Sequence, residues 1–346
     1  MVFFNRAMLG TLLALFLATP SLALNILMYH HIADDTPPST STRVAVFQDH
    51  LDYLKEHHTV VDLLWAMDEI RAGRDLPDNA VAITFDDAYR NNYTTAWPML
   101  KEAGFPFTIF TATQPVDQGS RLVMTWDMHR EMHAAGVTIL NHSHGHEYLV
   151  RSDTYDEAWL NNAMESIRTG QARLEAELGT ELPKVFAYPY GEYNDLLQAA
   201  LREEGYEMAF GQHSGGVAEF SDMMALPRYA AGGIFANLNT LRPKLRGRPL
   251  PVEFPLADPV TNDRFPILRV RTLDNPDVRW DAIQCFSGGG DPLPTRIEAG
   301  WLITQTESEL RDGRQRYNCT APSRSVNGVF YWLSQQWLIN QGPVDR

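Results

Sequence analysis

The chain has 346 residues, room for one large domain and a smaller one, with 43 acidic against 29 basic residues and a formal net charge of −14. So acidic a chain lacks the basic stripe that nucleic-acid binding demands, and it suits a neutral or cationic glycan better than a polyanion. With two cysteines and no Cys-x-x-Cys, neither a cysteine metal framework nor a dithiol redox site finds support.

Residues 1–23 read as a secretory signal. Arg6 supplies the positive start, residues 7–18 the apolar stretch, and Ser21-Leu22-Ala23 the small-residue cleavage site. The apolar run is too short for a spanning helix, so membrane attachment would come only through an uncleaved signal. The mature protein is therefore expected to be secreted or periplasmic. In such a compartment the lone pair Cys285 and Cys319 is expected to close as a disulfide. Oligomeric state leaves no trace in the sequence.

Asn25-Ile26-Leu27-Met28-Tyr29 reads as the first strand, ending in His30 and His31, and residues 34–43 form a Pro/Ser/Thr-rich loop. Phe47, Leu51 and Leu54 recur at helical spacing over residues 46–56, and Leu63, Leu64, Met67 and Ile70 mark a second helix. The apolar run 80–83 is a buried strand that ends in Thr84-Phe85-Asp86-Asp87, with a helix-like segment over 94–103 after it. A strand over 107–111 and a helix over 126–135 follow. That helix carries His129-x-Glu131-x-His133, which lacks the acid directly after the first histidine that a zinc-protease helix needs, and reads as a solvated face. Strand 137–140 leads into Asn141-His142-Ser143-His144-Gly145-His146. A long helix over 154–178 opens on a capping box, Thr154 to Glu157. Strand 185–188 runs into Pro189-Tyr190-Gly191, and a helix over 196–204 precedes a short strand, 208–210, and then His213. Strands alternating with helices indicate a parallel α/β barrel over residues 24–241. Residues 242–262 read as a linker and 263–346 as a small β-rich, sandwich-like domain. Its aromatics (Trp280, Trp301, Tyr331, Trp332, Trp337) suit either a sugar-stacking platform or, more commonly for alternating aromatics, a core.

Adjacent acids at a strand end point to opposite sides, so Asp86 and Asp87 suit different tasks, one ligating a metal and one acting as a base. Two acids opening a helix would look the same. His142 and His146, four apart, can aim at one point from a helical turn or a compact loop. Two imidazoles and a carboxylate leave positions open for water and substrate.

Thr84-Phe85-Asp86-Asp87, His142-Ser143-His144-Gly145-His146 and Tyr188-Pro189-Tyr190-Gly191, in that order, resemble the motifs of the NodB-homology polysaccharide deacetylases, the fourth family of carbohydrate esterases. The early Met28-Tyr29-His30 resembles the poly-N-acetylglucosamine deacetylase (PgaB/IcaB-type) branch. The resemblance covers about residues 25–239 and implies a distorted (β/α)7-type barrel. It also implies one divalent metal ion held by Asp87, His142 and His146, with zinc first among zinc, iron, cobalt and nickel. Asp86 would be the general base, the Tyr190 backbone N–H an oxyanion donor, and His30 the general acid, with His213 as runner-up. The implied activity is removal of N-acetyl groups, by metal-activated water, from an N-acetylhexosamine-containing polysaccharide or oligosaccharide.

Two departures stand out. Ala187 and Tyr188 replace the Arg-Pro of the family's third motif, so the base needs another partner. The fourth motif is missing, with Trp126 or Asp127 as candidate substitutes. Rival readings are an O-acetyl esterase and a weakly catalytic glycan-binding protein.

Overall fold

A computed structural model describes residues 23–339, so the signal-sequence reading of residues 1–23 lies almost wholly outside the described residues. Six parallel strands carry the main sheet: β1 (Leu24–Tyr29), β2 (Ala80–Asp86), β3 (Thr108–Thr111), β4 (Thr138–Asn141), β5 (Val185–Ala187) and β6 (Met208–Phe210). They are hydrogen-bonded in that order. The free edge of β1 takes Gly216–Val217 antiparallel and Tyr229–Ala230 parallel. Residues 226–230 run between the two edges of the curled sheet. Leu226 bridges to Phe210 of β6, and Tyr229 pairs with Leu27 of β1. This is the expected α/β architecture, a distorted barrel-like sheet wrapped by helices.

The strands read as almost continuous apolar runs because both faces are covered. In β2 the alternation is explicit. Val81, Ile83 and Phe85 pack with Phe47 and Leu51 of α1 (Val44–His57), whereas Ala80 and Ala82 join Phe110, Ala187 and Phe210 on the other face. Asp86 falls in step with Ala80, Ala82 and Thr84, which sends its side chain to the sheet's inner face.

Two of the expected helices need correction. The long helix begins at Glu157 and runs to Leu178, and its N-cap is Asp156, whose carboxylate accepts from the Trp159 N–H; Thr154 only supports it by donating to Asp156. In the helix Trp126–Ala134, His129 is no solvated residue. It is fully buried, with Nδ1 2.9 Å from the Thr125 carbonyl and Nε2 3.2 Å from Thr111 Oγ1. A carbonyl can only accept, so Nδ1 carries a proton, and in the neutral ring Nε2 takes the threonine hydroxyl, which leaves both nitrogens satisfied.

Burial pushes the His129 pKa from 6.5 down to about 4. The unfolded chain then binds the proton first, so the associated stability is complete above pH 6.5 and is lost as pH falls towards 4, by on the order of 3 kcal/mol. Denaturant melts of the chain and of His129→Asn across pH 7 to 4 check this. The acid loss should be smaller in the variant, and equal losses would rule His129 out as its source.

Beyond the sheet, residues 242–262 are not a linker. They hold the end of a helix, Leu238–Leu245, and two short strands, Arg248–Pro249 and Val260–Thr261, both paired with β8 (Phe330–Ile339). Asn25 of β1 donates to the carbonyls of Leu245 and Gly247, which ties this segment to the barrel edge. A long antiparallel hairpin, β7 (Gly313–Pro322) with β8, organises the β-rich region, and a second sheet is built on Ile267–Arg271 and Trp301–Gln305. One hairpin face packs Tyr317, Cys319, Leu333 and Trp337 into the region's own core. Cys285 and Cys319 are directly opposed across two strands, buried, and disulfide-bonded. Of the aromatics, Tyr331 and Trp337 are core, Trp332 packs edge-on to Tyr229 of the barrel, and Trp301 sits beneath Arg269. They are dispersed and form no platform. Among the described residues no helix is long and apolar enough to cross a membrane.

Candidate active site

The site sits where β1, β2, β4 and β5 end. After Asp86 the backbone enters the left-handed region at Asp87 (φ 69°) and Ala88 (φ 51°), which swings Asp87 away from its neighbour. Among the described residues seven non-glycines have positive φ, and five of them are here: Asp87, Ala88, Ser143, His146 and Tyr190. Each such residue costs on the order of 1 kcal/mol or more, so the surrounding contacts must hold them.

Those contacts are visible around the histidine loop, which is compact rather than helical. Asn141 Nδ2 donates to Ile167 O, and its Oδ1 accepts from Ser143 N–H. Ser143 Oγ takes the His146 N–H, and Glu147 gathers the hydroxyls of Ser143 and Ser166. Gly170 lets the long helix touch this loop: a Cβ there would lie 2.7 Å from Asn141 Oδ1 and 2.8 Å from Ser143 C.

His142 Nδ1 lies 2.7 Å from the Ala187 carbonyl, so it must carry the proton and leave Nε2 as a bare lone pair. That nitrogen is 3.4 Å from Asp87 Oδ1, and His146 Nε2 is 3.0 Å from the same oxygen. The ligand atoms of the three residues all lie within 4.8 Å of one another. His142 Nε2 and Asp87 Oδ1 are buried without a hydrogen-bond partner. Donor atoms converging from two imidazoles and a carboxylate, two of them buried and unsatisfied, fit a divalent cation. His144 does not join them, because its Nδ1 is bound to Thr113 Oγ1 at 2.8 Å.

Asp86 is fully buried beside this group, and what holds it is Arg228. Nη1 and Nη2 of Arg228 reach Oδ1 and Oδ2 at 2.6 and 2.8 Å, a bidentate pair with both side chains out of solvent. Arg228 also donates to Gly211 O and Thr84 Oγ1, and its guanidinium lies 5.3 Å from the Phe110 ring centre. Burial alone would raise the Asp86 carboxyl; Arg228, His142 and His30 hold it below its ordinary value.

Sequence reasoning missed Arg228. Its only signal is a lone cation in Leu226-Pro227-Arg228-Tyr229, the segment that crosses between the sheet edges. It stands in for the arginine absent at Ala187, which instead offers its carbonyl to His142. Trp126 and Asp127 do not serve, since Trp126 donates to Asp117 and Asp127 pairs with Arg130 at the surface.

A cleft of about 810 Å³ opens on this centre, lined by His30, Asp87, His146 and Tyr190 among others. His31 turns away, stacked on Tyr89 at 3.5 Å and bonded to Asn91. Tyr190 is stacked on Tyr148 at 3.7 Å, meets the His146 ring at 4.5 Å, and has its carbonyl held by Arg314. His213 also lines the cleft, but burial, with Arg228 and Arg316 adding to it, takes its pKa to about 4. At neutral pH it has no proton to give, which argues against it as the acid.

Residues 73–209 match the polysaccharide deacetylase family model, so the chain carries a polysaccharide deacetylase domain. It is 26% identical over 237 residues to the poly-beta-1,6-N-acetyl-D-glucosamine N-deacetylase of Escherichia coli (strain K12), across 58% of this chain and 35% of that protein. A protein of the same name from Staphylococcus epidermidis is 24% identical over 188 residues, across 53% of this chain and 65% of its own. The chain thus spans about a third of the length of the Escherichia coli relative. Among solved structures, IcaB from Ammonifex degensii superposes with a TM-score of 0.52 at 25% identity, covering 60% of this chain and 90% of that one. The Streptococcus pyogenes deacetylase PplD, solved with acetate, shares the fold with a TM-score of 0.58 at 21% identity, covering 66% and 99%.

Proposed function

We propose that this chain is an exported, metal-dependent hydrolase that removes N-acetyl groups from an N-acetylhexosamine-containing polysaccharide. The observation that carries the reading is a buried, arginine-clamped carboxylate, Asp86, beside the convergent donor set of Asp87, His142 and His146, in which Asp87 Oδ1 and His142 Nε2 are unsatisfied. A divalent ion held by those three residues would acidify a water and polarise the acetyl carbonyl. Asp86 accepts the water's proton, since each of its oxygens keeps a lone pair beyond the one used by Arg228. The Tyr190 N–H, in a backbone turn held open at positive φ, donates to the developing oxyanion. His30, on the cleft wall, protonates the departing amine, so that amide and water yield amine and acetate. The relatives named for N-deacetylation support the amide over the ester. The buried disulfide supports a periplasmic or secreted location.

The test is acetate release from N-acetylglucosamine oligomers and from O-acetylated glycans by the metal-stripped chain, with zinc or cobalt restored. Release from the N-acetyl substrate should return with metal, and His142→Ala should lose both metal binding and activity. His30→Ala should keep its metal while kcat falls about 10²-fold or more. Release only from O-acetyl glycans would make it an esterase. No release from either, with metal bound, would favour the glycan-binding protein.

A further inference from the structure

The hairpin β7–β8 alternates strictly between two partners. Tyr317, Cys319 and Trp337 face the β-rich core, whereas Trp332 and Leu338 face the barrel, and Gln336 donates to Gly191 O there. Arg316 lies directly opposite Gln336, and Arg314 opposite Leu338, so both arginines share the barrel-facing side. Where the hairpin passes the cleft, that side becomes its wall: Arg314, Arg316 and Gln336 line the same cavity as His30, Asp87 and His146. Arg314 is anchored to the reactive end through the Tyr190 carbonyl.

Arg316 is different. It is half-buried, has no carboxylate partner or side-chain hydrogen bond among the described residues, and has Arg314 as a charged neighbour. Burial and that like charge both work against its proton. Lys244 is also close enough for Arg316 to disfavour its charge. Although the chain has 43 acidic residues, Asp87 is the only carboxylate among the described residues lining the cleft, and it belongs to the metal set. The carboxylates that would attract a polymer of free amines are therefore missing from this wall; Glu192, behind it, offsets Arg314, and Arg316 is left as the guanidinium without a counter-charge. The total charge of −14 pointed towards neutral or cationic glycans, but this wall carries a guanidinium, Arg316, without a carboxylate partner among the described residues.

We propose that this wall is a subsite for an acidic sugar: the natural polysaccharide carries a carboxylate or a phosphate near the N-acetylated residue. A guanidinium fork matches the paired oxygens of either anion. This rests on the deacetylase reading and narrows its substrate class. It also gives the β-rich region a role in recognition that the matched family segment, residues 73–209, does not include.

The test uses the full chain carrying Asp86→Asn, so that binding is read without turnover. Calorimetric titrations compare three probes: a neutral N-acetylglucosamine oligomer, an oligomer alternating N-acetylglucosamine with glucuronic acid, and a phosphorylated N-acetylglucosamine oligomer. At least one acidic oligomer should bind about tenfold more tightly than the neutral one, with the preference eroded by salt. The better acidic probe identifies the anion. Adding Arg316→Gln should weaken the acidic probe about tenfold more than the neutral one and so remove the preference, and Arg316→Lys should keep part of it. Equal binding of all three probes, or equal losses for acidic and neutral probes in Arg316→Gln, would overturn the subsite. Acetate release by the wild-type chain from the same oligomers separates the two readings. An acidic preference without any release keeps the subsite and sinks the deacetylase; release without preference does the reverse.

Discussion

Asp86→Asn is expected to lower kcat for acetate release by about 10³-fold while leaving metal stoichiometry at one ion per chain. Asp86 contributes no atom to the donor set of Asp87, His142 and His146, so loss of its charge should not empty that site. Asparagine is nearly the same shape and keeps one carbonyl acceptor for Arg228, so the fold should persist, at a stability cost from the guanidinium left without its counter-charge. What disappears is the fully buried carboxylate beside the donor set that the proposed mechanism uses as the base. Steady-state kinetics together with metal analysis and a thermal melt check the result. A variant that keeps its metal and its fold and still turns over within tenfold of the wild type would remove Asp86 from the role of base.

Arg228→Gln should have the largest effect on stability of any single change at the site, about 3–5 kcal/mol, because it strands a buried carboxylate without its counter-charge. Arg228 is also the largest fully buried side chain, holding Gly211 O and Thr84 Oγ1 as well as both oxygens of Asp86. Turnover should fall with it, since a freed carboxyl can rotate or bind a proton. The double variant Asp86→Asn, Arg228→Gln decides whether the pair is coupled. Neither charge is stranded there, so its destabilisation should be less than the sum of the single variants by at least about 1 kcal/mol, with activity still absent. Strict additivity in urea melts would show that Arg228 acts as packing and does not hold the base.

Much of the chemistry could be read from local order in the sequence, because strands and short loops impose their own geometry. The run from Ala80 to Asp86 alternates on a period of two, which sends Asp86 to the inner face and lets the sequence assign Asp86 and Asp87 different tasks. The left-handed turn at Asp87 and Ala88 that separates them was not legible. His142 and His146 lie within one loop, so only a short stretch of backbone was needed to bring them together. The cysteine pair, too, was readable from composition and compartment. His129 was misread for the opposite reason. Its environment depends on Thr111, 18 residues away on another strand, and helical spacing carries no information about that contact.

The tertiary structure decided what lies far apart along the chain. Arg228 meets Asp86 across 142 residues, because the segment 226–230 runs between β6 and β1 and turns its one cation inward. The cleft wall built by Arg314 and Arg316 depends on how a C-terminal hairpin docks against the barrel, and no motif records that register. Local backbone preference selects the strand, the loop and the adjacent ligands. The partner of a buried charge and the side chains that line the cleft are set by topology, since both depend on which distant elements share the same few ångströms.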